Sequence, residues 1–462
     1  VTERQILTPA TLARSNARAI TPLFSDSKRE SQPRRIALVG TCAPRKCGIA
    51  TFTSDIREQL GRYYPRIEIG VFALERACQP HAYQDIAGII HDGMPASYAN
   101  AAAAINEGGY DAVWLQHEYG IFGGDDGEMV CDFVARLAPP LILTPHTVLG
   151  DPSPRQDTIL KTLIARASRI MVMSYHSRDL LATRYGAPHE LLDVIEHGAP
   201  DRPFGRQSEF KTRFGLQGRH VLTTFGLLGP GKGVEHVIEA LPAIAARHPD
   251  VLYRVVGATH PDLVAENGES YRESLKALAA QLGVEGHVEW VDRFVETEDL
   301  LDQLEACDIY ITPYPNLQQS TSGTLSYAVA LGKAVIATPY VHARELLAGG
   351  VGRLIAPGSS QAIAYEVNAL LDAPGALNAL QMRAYAKGRE TIWPRFADGA
   401  ANLIAKAVTR QSHPAALGRP RLIAPAIDAL RAMSDGTGMF QHGIGIVPDR
   451  RHGYCLDDNA RA

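Results

Sequence analysis

The segment Thr223-Thr224-Phe225-Gly226-Leu227-Leu228-Gly229-Pro230-Gly231-Lys232-Gly233 follows a β-branched run and precedes a helical pattern, so it offers backbone N–H groups and one ammonium, that of Lys232, to an anion. Its spacing nearly matches the nucleoside-triphosphate loop G-x-x-x-x-G-K-[ST], but Gly233 stands where a Ser or Thr hydroxyl would hold magnesium. A cradle with the lysine and without that hydroxyl suits a diphosphate gripped by amides and charge alone, and no metal or other cofactor is expected. A plain glycine-rich turn between strand and helix would show the same letters. Farther along, Ser320-Thr321-Ser322-Gly323-Thr324 caps a helix over 325–331 that ends at Gly332. The free amides of Gly323, Thr324 and Leu325 would form the second half of an anion clamp opposite Lys232. Ordinary Ser and Thr capping accounts for that pattern too; the order of both features within one domain favours the clamp.

Two histidines end apolar runs. Residues 112–115 lead into Gln116-His117-Glu118, and 141–143 lead into Thr144-Pro145-His146. Strand ends of this kind face a cleft, so His117 and Glu118 are candidates for hydroxyl contacts or proton transfer, although such residues often serve only as loop hydrogen-bonding groups. The loop Gly40-Thr41-Cys42-Ala43-Pro44-Arg45-Lys46-Cys47-Gly48 is not G-x-G-x-x-G, which counts against a nicotinamide enzyme; Arg45 and Lys46 add charge there or simply solvate the loop. Ser-His-Asp order, H-E-x-x-H and zinc spacing are all missing from the chain.

The elements that must position these groups follow from periodicity. Short apolar runs at 36–39, 67–72, 112–115, 141–143, 170–173 and 194–195 alternate with helix-like stretches, and Gly198-Ala199-Pro200-Asp201-Arg202-Pro203 interrupts them. The pattern restarts at 221–224, 253–256, 288–291, 309–312 and 334–336. Alternation of this kind implies an α/β chain with two doubly wound, Rossmann-like domains facing a deep cleft, their ligands at the carboxyl ends of the strands. We expect an N-terminal extension at 1–33, a first domain at 34–203, a second at 204–393, and a helix near 394–410 that returns to the first. The tail at 411–462 reads either as an irregular polar terminus or as the start of a helical module carrying Asp457 and Asp458.

The 462 residues, 45% of them hydrophobic, are enough for two or three domains. A net charge of -4 with dispersed Lys and Arg argues against a nucleic-acid groove and leaves only a local basic patch for peripheral membrane contact. Six cysteines without C-x-x-C spacing fit a reducing compartment. No apolar run reaches the ~20 residues of a membrane helix, and the first residues are charged where a signal peptide would be apolar, so a cytoplasmic location is expected.

From 35 to 408 the chain resembles the retaining GT-B glycosyltransferases of family 4, most specifically over Phe225-Gly226-Leu227-Leu228-Gly229-Pro230-Gly231-Lys232-Gly233-Val234-Glu235 and Tyr327-Ala328-Val329-Ala330-Leu331-Gly332-Lys333. The resemblance implies transfer of a sugar, with retention, from a nucleoside-diphosphate donor to a glycan or other hydroxyl acceptor, by front-face attack in which the departing phosphate takes the acceptor proton. It implies that Lys232 and the later helix amides bind the donor diphosphate without a metal, and that His146 lies beside the donor sugar. Gly48 belongs to a glycine-containing turn like that of the family, and the donor set would comprise Gly48, Gly231, Arg293, Ser322, Gly323, Thr324, Leu325 and Tyr327.

Two departures stand out. The family carries a glutamate, seven intervening residues and a second glutamate, the first on donor-sugar hydroxyls and the second on the ribose; here these positions hold Gln319 and Tyr327. Where the family commonly has an arginine after the glycine equivalent to Gly226, this chain has Leu227, and Arg293 is the candidate replacement. Gln319 keeps hydrogen bonding to sugar hydroxyls without the charge. A phosphorylase with inorganic phosphate in the cradle, and a weakly catalytic glycan-binding domain serving the tail, are the alternative readings.

Overall fold

The computed structural model describes residues 35–76, 80–411, 443–444 and 447–448. The expected extension at 1–33, and Asp457 and Asp458, lie outside the described residues.

Strands β1 (Arg35–Gly40), β2 (Glu68–Glu75), β3 (Gly88–His91), β4 (Ala112–His117), β5 (Leu141–Pro145), β6 (Ala167–Val172) and β7 (Leu192–Val194) form one parallel sheet in the order β3-β2-β1-β4-β5-β6-β7. A second parallel sheet, ordered β10-β9-β8-β11-β12-β13, comprises β8 (His220–Phe225), β9 (Val251–Val256), β10 (Val288–Val291), β11 (Ile309–Thr312), β12 (Ala334–Ala337) and β13 (Arg353–Leu354). The expected α/β fold with two doubly wound sheets is therefore the one adopted. Two short edge strands, β3 and β13, escaped the periodicity reading because four and two residues carry too little pattern.

Central strands read as continuous apolar runs because helices cover both faces. β1, for example, is buried from Ile36 to Gly40, and Ile36, Ala37, Leu38 and Val39 pair with Ala112, Val113, Trp114 and Leu115 of β4. Helix Val234–Ala245 packs its face of Val234, Val237, Ile238, Leu241 and Ile244 on the second sheet. A further apolar cluster spans both lobes, running from Phe52 and Ile56 through Trp393 and Phe396 to Tyr327 and Leu325. Helix Trp393–Gln411 carries the chain back onto the first sheet, where Tyr64 donates to Asp398 (2.5 Å) and Lys406 pairs with Asp193 (2.6 Å). Where the chain passes between lobes, the outward and returning segments lie side by side: Ala199 N–H donates to the Thr391 carbonyl (2.9 Å) and Trp393 N–H to the Ala199 carbonyl (2.8 Å).

In each sheet the strand order reverses between two neighbours, β1 and β4 in the first and β8 and β11 in the second. Loops after such a pair diverge and open a crevice at the carboxyl edge. The loops after β1, β4, β8 and β11 are the ones carrying most of the candidate residues.

Candidate active site

A cavity of about 950 Å³ lies between the two lobes, lined by residues from both, among them Gly48, Asp55, Glu118 and His146 from the first and Lys232, Gln319, Gly323, Thr324 and Tyr327 from the second.

The Lys232 loop is not the simple helix start expected from its letters. Residues Pro230–Lys232 form one 3-10 turn, Gly233 takes a left-handed φ of 64°, and the α-helix begins only at Val234. A Cβ at Gly233 would also collide with the Pro313 carbonyl. A Ser or Thr is thus excluded by both backbone and space, which explains why the magnesium-holding hydroxyl of the nucleotide loop is missing. Gly226, at φ 135°, leaves room for the lysine: a Cβ there would lie 2.9 Å from Lys232 Nζ.

Lys232 Nζ donates to the Tyr314 hydroxyl at 3.2 Å and sits 4.6 Å from the centre of its ring. Burial opposes ionisation of this phenol, but the Lys232 charge and hydrogen bonds from Thr324, Lys232 and Ser322 outweigh it and hold its pKa below the ordinary value. Tyr314 therefore joins the lysine to the start of helix Gly323–Ala330, the two halves of the clamp. Within that helix start one expectation needs correction: the Leu325 N–H is not free, because the Ser322 hydroxyl accepts it at 3.4 Å. Ser322 N–H in turn donates to His342 Nδ1 at 2.9 Å. The amides of Gly323 and Thr324 remain without a partner among the described residues, and these two residues line the cavity while Ser322 and Leu325 stand behind them. Gly231 is exposed on the 3-10 turn and outside the lining.

On the opposite wall, His146 follows β5 and is half-buried. Its Nε2 lies 2.9 Å from Gln116 Oε1; donating there leaves Nδ1 as the accepting nitrogen. Burial, helped by His197 and His117, pushes its pKa down to about 3, so the ring is a neutral hydrogen-bonding group at any physiological pH. The Ser320 hydroxyl donates to the His146 carbonyl at 3.0 Å, tying the two walls together. Gln319 is exposed at the rim, its Nε2 donating to the Thr321 carbonyl (2.6 Å). Glu118 lines the cavity, yet its Oε1 accepts the Tyr119 N–H (3.0 Å) and its Oε2 the Thr147 hydroxyl (2.5 Å), so it braces its own loop; burial raises its pKa.

Two expected residues lie elsewhere. His117 is fully buried between the rings of Tyr119 and Phe122, with both ring nitrogens lacking hydrogen bonds among the described residues. Burial lowers its pKa to about 3, and it does not reach the cavity. Arg293 is exposed and paired with Asp299 instead of turning inward. Its neighbour Phe294 lines the cavity, with Lys46 4.9 Å over the ring from the other lobe.

The sequence reading missed three groups. Asp55, on the first helix Gly48–Tyr63, points its carboxyl at the cavity and accepts the Tyr327 hydroxyl at 3.1 Å. Burial, against the Tyr327 hydrogen bond, raises its pKa to about 7. His197 Nδ1 donates to the Gly198 carbonyl (2.8 Å), which leaves Nε2 as an acceptor beside Gly323; burial lowers this pKa to about 4. Tyr314 is the third. Nothing in a single sequence links these positions to Lys232, because each acts through a partner distant along the chain.

Residues 207–390 match the family described as Glycosyl transferases group 1. Over 301 residues the chain is 26% identical to a D-inositol 3-phosphate glycosyltransferase of Rhodococcus jostii (strain RHA1), the match covering 62% of this chain and 64% of that protein. It is 28% identical over 251 residues to a GDP-mannose-dependent alpha-(1-6)-phosphatidylinositol monomannoside mannosyltransferase of Mycolicibacterium smegmatis (strain ATCC 700084 / mc(2)155), covering 53% of this chain and 61% of that one. The chain thus spans under two thirds of the length of these curated relatives. Among solved structures, Anabaena Alr3699/HepE in complex with UDP and glucose superposes with a TM-score of 0.64 at 19% identity, over 82% of this chain and 100% of that one. Sucrose-phosphate synthase from Thermosynechococcus elongatus superposes with a TM-score of 0.65 at 15% identity, over 82% and 99%. At such identities the likeness speaks for the fold, which is GT-B.

Proposed function

We propose that this chain is a group 1 glycosyltransferase of GT-B fold that moves a hexosyl group, with retention and without a metal, from a nucleoside-diphosphate donor to a glycan or other hydroxyl acceptor. One observation carries this reading: Lys232 and the open amides of Gly323 and Thr324 are brought to one cavity and coupled through Tyr314. An ammonium and a helix N-terminus fixed in advance around a diphosphate stabilise the negative charge that grows on it as the sugar departs. The names of similar proteins, one using GDP-mannose and one bound to UDP and glucose, support a nucleotide-sugar donor.

In this reading His146, neutral and held by Gln116, hydrogen-bonds donor-sugar hydroxyls, and Gln319 at the rim does the same without charge. Glu118 keeps the His146-side loop in place. The departing phosphate receives the acceptor proton, so the protein contributes alignment and charge stabilisation and needs no carboxylate nucleophile. The cysteine spacing suits a cytoplasmic setting, and among the described residues no helix is long and apolar enough to cross a membrane.

Titration calorimetry with UDP, GDP and ADP tests the proposal. One nucleotide should bind, and Lys232→Ala should weaken it at least about tenfold, the scale of a lost hydrogen bond to a charged group. Absence of nucleotide binding together with phosphate-dependent cleavage of an oligosaccharide would overturn it in favour of a phosphorylase.

A further inference from the structure

The amino edge of the second sheet, at the far end of its strands from the cavity, carries another group of side chains able to do chemistry. His220, His248 and Asp250 each bring one ligand atom to within 4.8 Å of the other two. His220 opens β8 and pairs in register with Val251, the first residue of β9, while its N–H donates to the Asp250 carbonyl at 3.2 Å. His248 closes the turn before β9: its carbonyl accepts the Val251 N–H (3.0 Å), and its N–H donates to the Ile244 carbonyl (2.8 Å) of helix Val234–Ala245. All three residues therefore stand on backbone that two strands and a helix hold fixed. From His220 to Phe225, which lines the cavity, β8 rises about 16 Å, so the cluster is remote from the diphosphate clamp.

His220 Nε2 and Asp250 Oδ2 lie 3.6 Å apart, near the ~3.4 Å edge of a tetrahedron whose metal bonds are about 2.0–2.1 Å. A surface ion pair would account for these two alone. It does not account for His248, whose ring stands 5.8 Å from that of His220 at an angle of 72° and whose Nε2 is buried without a hydrogen bond among the described residues. Asp372, just past helix Ser360–Leu371, comes within 3.3 Å of that nitrogen, but its Oδ1 already accepts Arg247 Nε at 2.9 Å. Arg219 directs its guanidinium to the Asp250 and Val251 carbonyls (2.8 and 3.0 Å) and leaves the Asp250 carboxylate to the histidine. Two imidazoles and a carboxylate suit a borderline ion such as zinc, whereas magnesium and calcium take oxygen ligands. From this geometry we infer that His220, His248 and Asp250 bind one zinc(II) ion, with solvent completing its shell. The ion acts outside the cavity: it ties the feet of β8 and β9 to the end of helix Val234–Ala245 and so stiffens the lobe that carries Lys232.

The test takes the full chain, stripped with EDTA and exchanged into chelator-free buffer, and titrates it with zinc chloride by calorimetry, magnesium and calcium chlorides serving as controls. Zinc should bind and the two controls should not, and saturating zinc should raise the thermal midpoint by a few degrees. His220→Gln and Asp250→Asn, both at half-exposed positions, should each weaken zinc at least about tenfold and remove the thermal shift. Their circular dichroism and nucleoside-diphosphate affinity should match the wild type. His220→Cys puts a thiolate where the imidazole stood; with cobalt(II) as the probe it should show a new sulfur-to-metal charge-transfer band, which a purely structural role for His220 would not produce. Wild-type protein that binds no zinc, or that responds equally to magnesium, overturns the inference. So does zinc binding with an unchanged thermal shift in both His220→Gln and Asp250→Asn. None of these results touches the donor reading, which nucleotide binding decides.

Discussion

Lys232 Nζ and the Tyr314 hydroxyl lie 3.2 Å apart, with the ammonium also resting over the phenol ring. The Ser322 and Thr324 hydroxyls at the helix start, together with the lysine, favour the ionised form of the same phenol, which places it electrostatically between the two halves of the clamp before any anion arrives. Tyr314→Phe keeps the ring and removes only the hydroxyl. Nucleoside-diphosphate affinity should then fall by about three- to tenfold, the scale of one hydrogen bond at about 0.5–1.5 kcal/mol, as read by calorimetry. Unchanged affinity would show that the lysine finds its place without the phenol.

Gly233→Ser recreates the nucleotide loop's final residue. The left-handed φ and the Pro313 carbonyl both oppose it. Expected is a loss of about 1–3 kcal/mol in stability, seen as earlier thermal unfolding, with no gain of magnesium-dependent nucleotide binding. A variant as stable as the wild type, with magnesium now tightening binding, would contradict the account of this turn.

Asp55 gives the fold an unusual pH term. Its pKa rises from 3.8 to about 7 in the folded chain, mainly through burial. Between those values the folded state holds a proton that the unfolded state has lost, so stability falls as pH rises, by at most about 1.4 kcal/mol per pH unit. Urea midpoints measured at pH 5 and pH 7.5 should therefore shift in favour of Asp55→Asn at the higher pH. Parallel shifts in both proteins would contradict the raised pKa.

The histidines act in the opposite sense. Burial lowers His117, His146 and His342 to about 3 and His197 to about 4, from 6.5. As pH drops below 6.5 the unfolded chain takes up protons that the folded chain refuses, and each ring costs on the order of 1 kcal/mol per pH unit until its own depressed pKa is reached. Acid unfolding should set in well above the range where ordinary carboxylates titrate. His146→Gln should move the midpoint of an acid titration followed by circular dichroism to lower pH.

Much of this site could be read from the letters. Gly226, Lys232 and Gly233 follow a strand, Ser322 precedes a helix, and both loops leave a sheet where its strand order reverses, so local chemistry and topology point to one place. Asp55 was invisible because Ser54-Asp55-Ile56-Arg57-Glu58 looks like the solvated face of a helix; only the Tyr327 contact gives it meaning. His117 was misplaced by a single residue of strand parity. Neighbouring side chains on β4 point to opposite faces, so Gln116 reaches His146 while His117 turns into the apolar layer beside Phe122. Arg293 failed for a local reason: Asp299, six residues on, captures it at the surface.

The paired segments that carry the chain between the lobes constrain how the cleft can breathe. Because Ala199 is stitched to both Thr391 and Trp393, the two connections behave as one narrow ribbon instead of two independent tethers. A ribbon bends easily about one line and resists torsion. Admission of a substrate and release of a product should therefore proceed as a single-axis hinge movement, in which the Asp55–Tyr327 and Ser320–His146 contacts across the mouth part together and re-form in register.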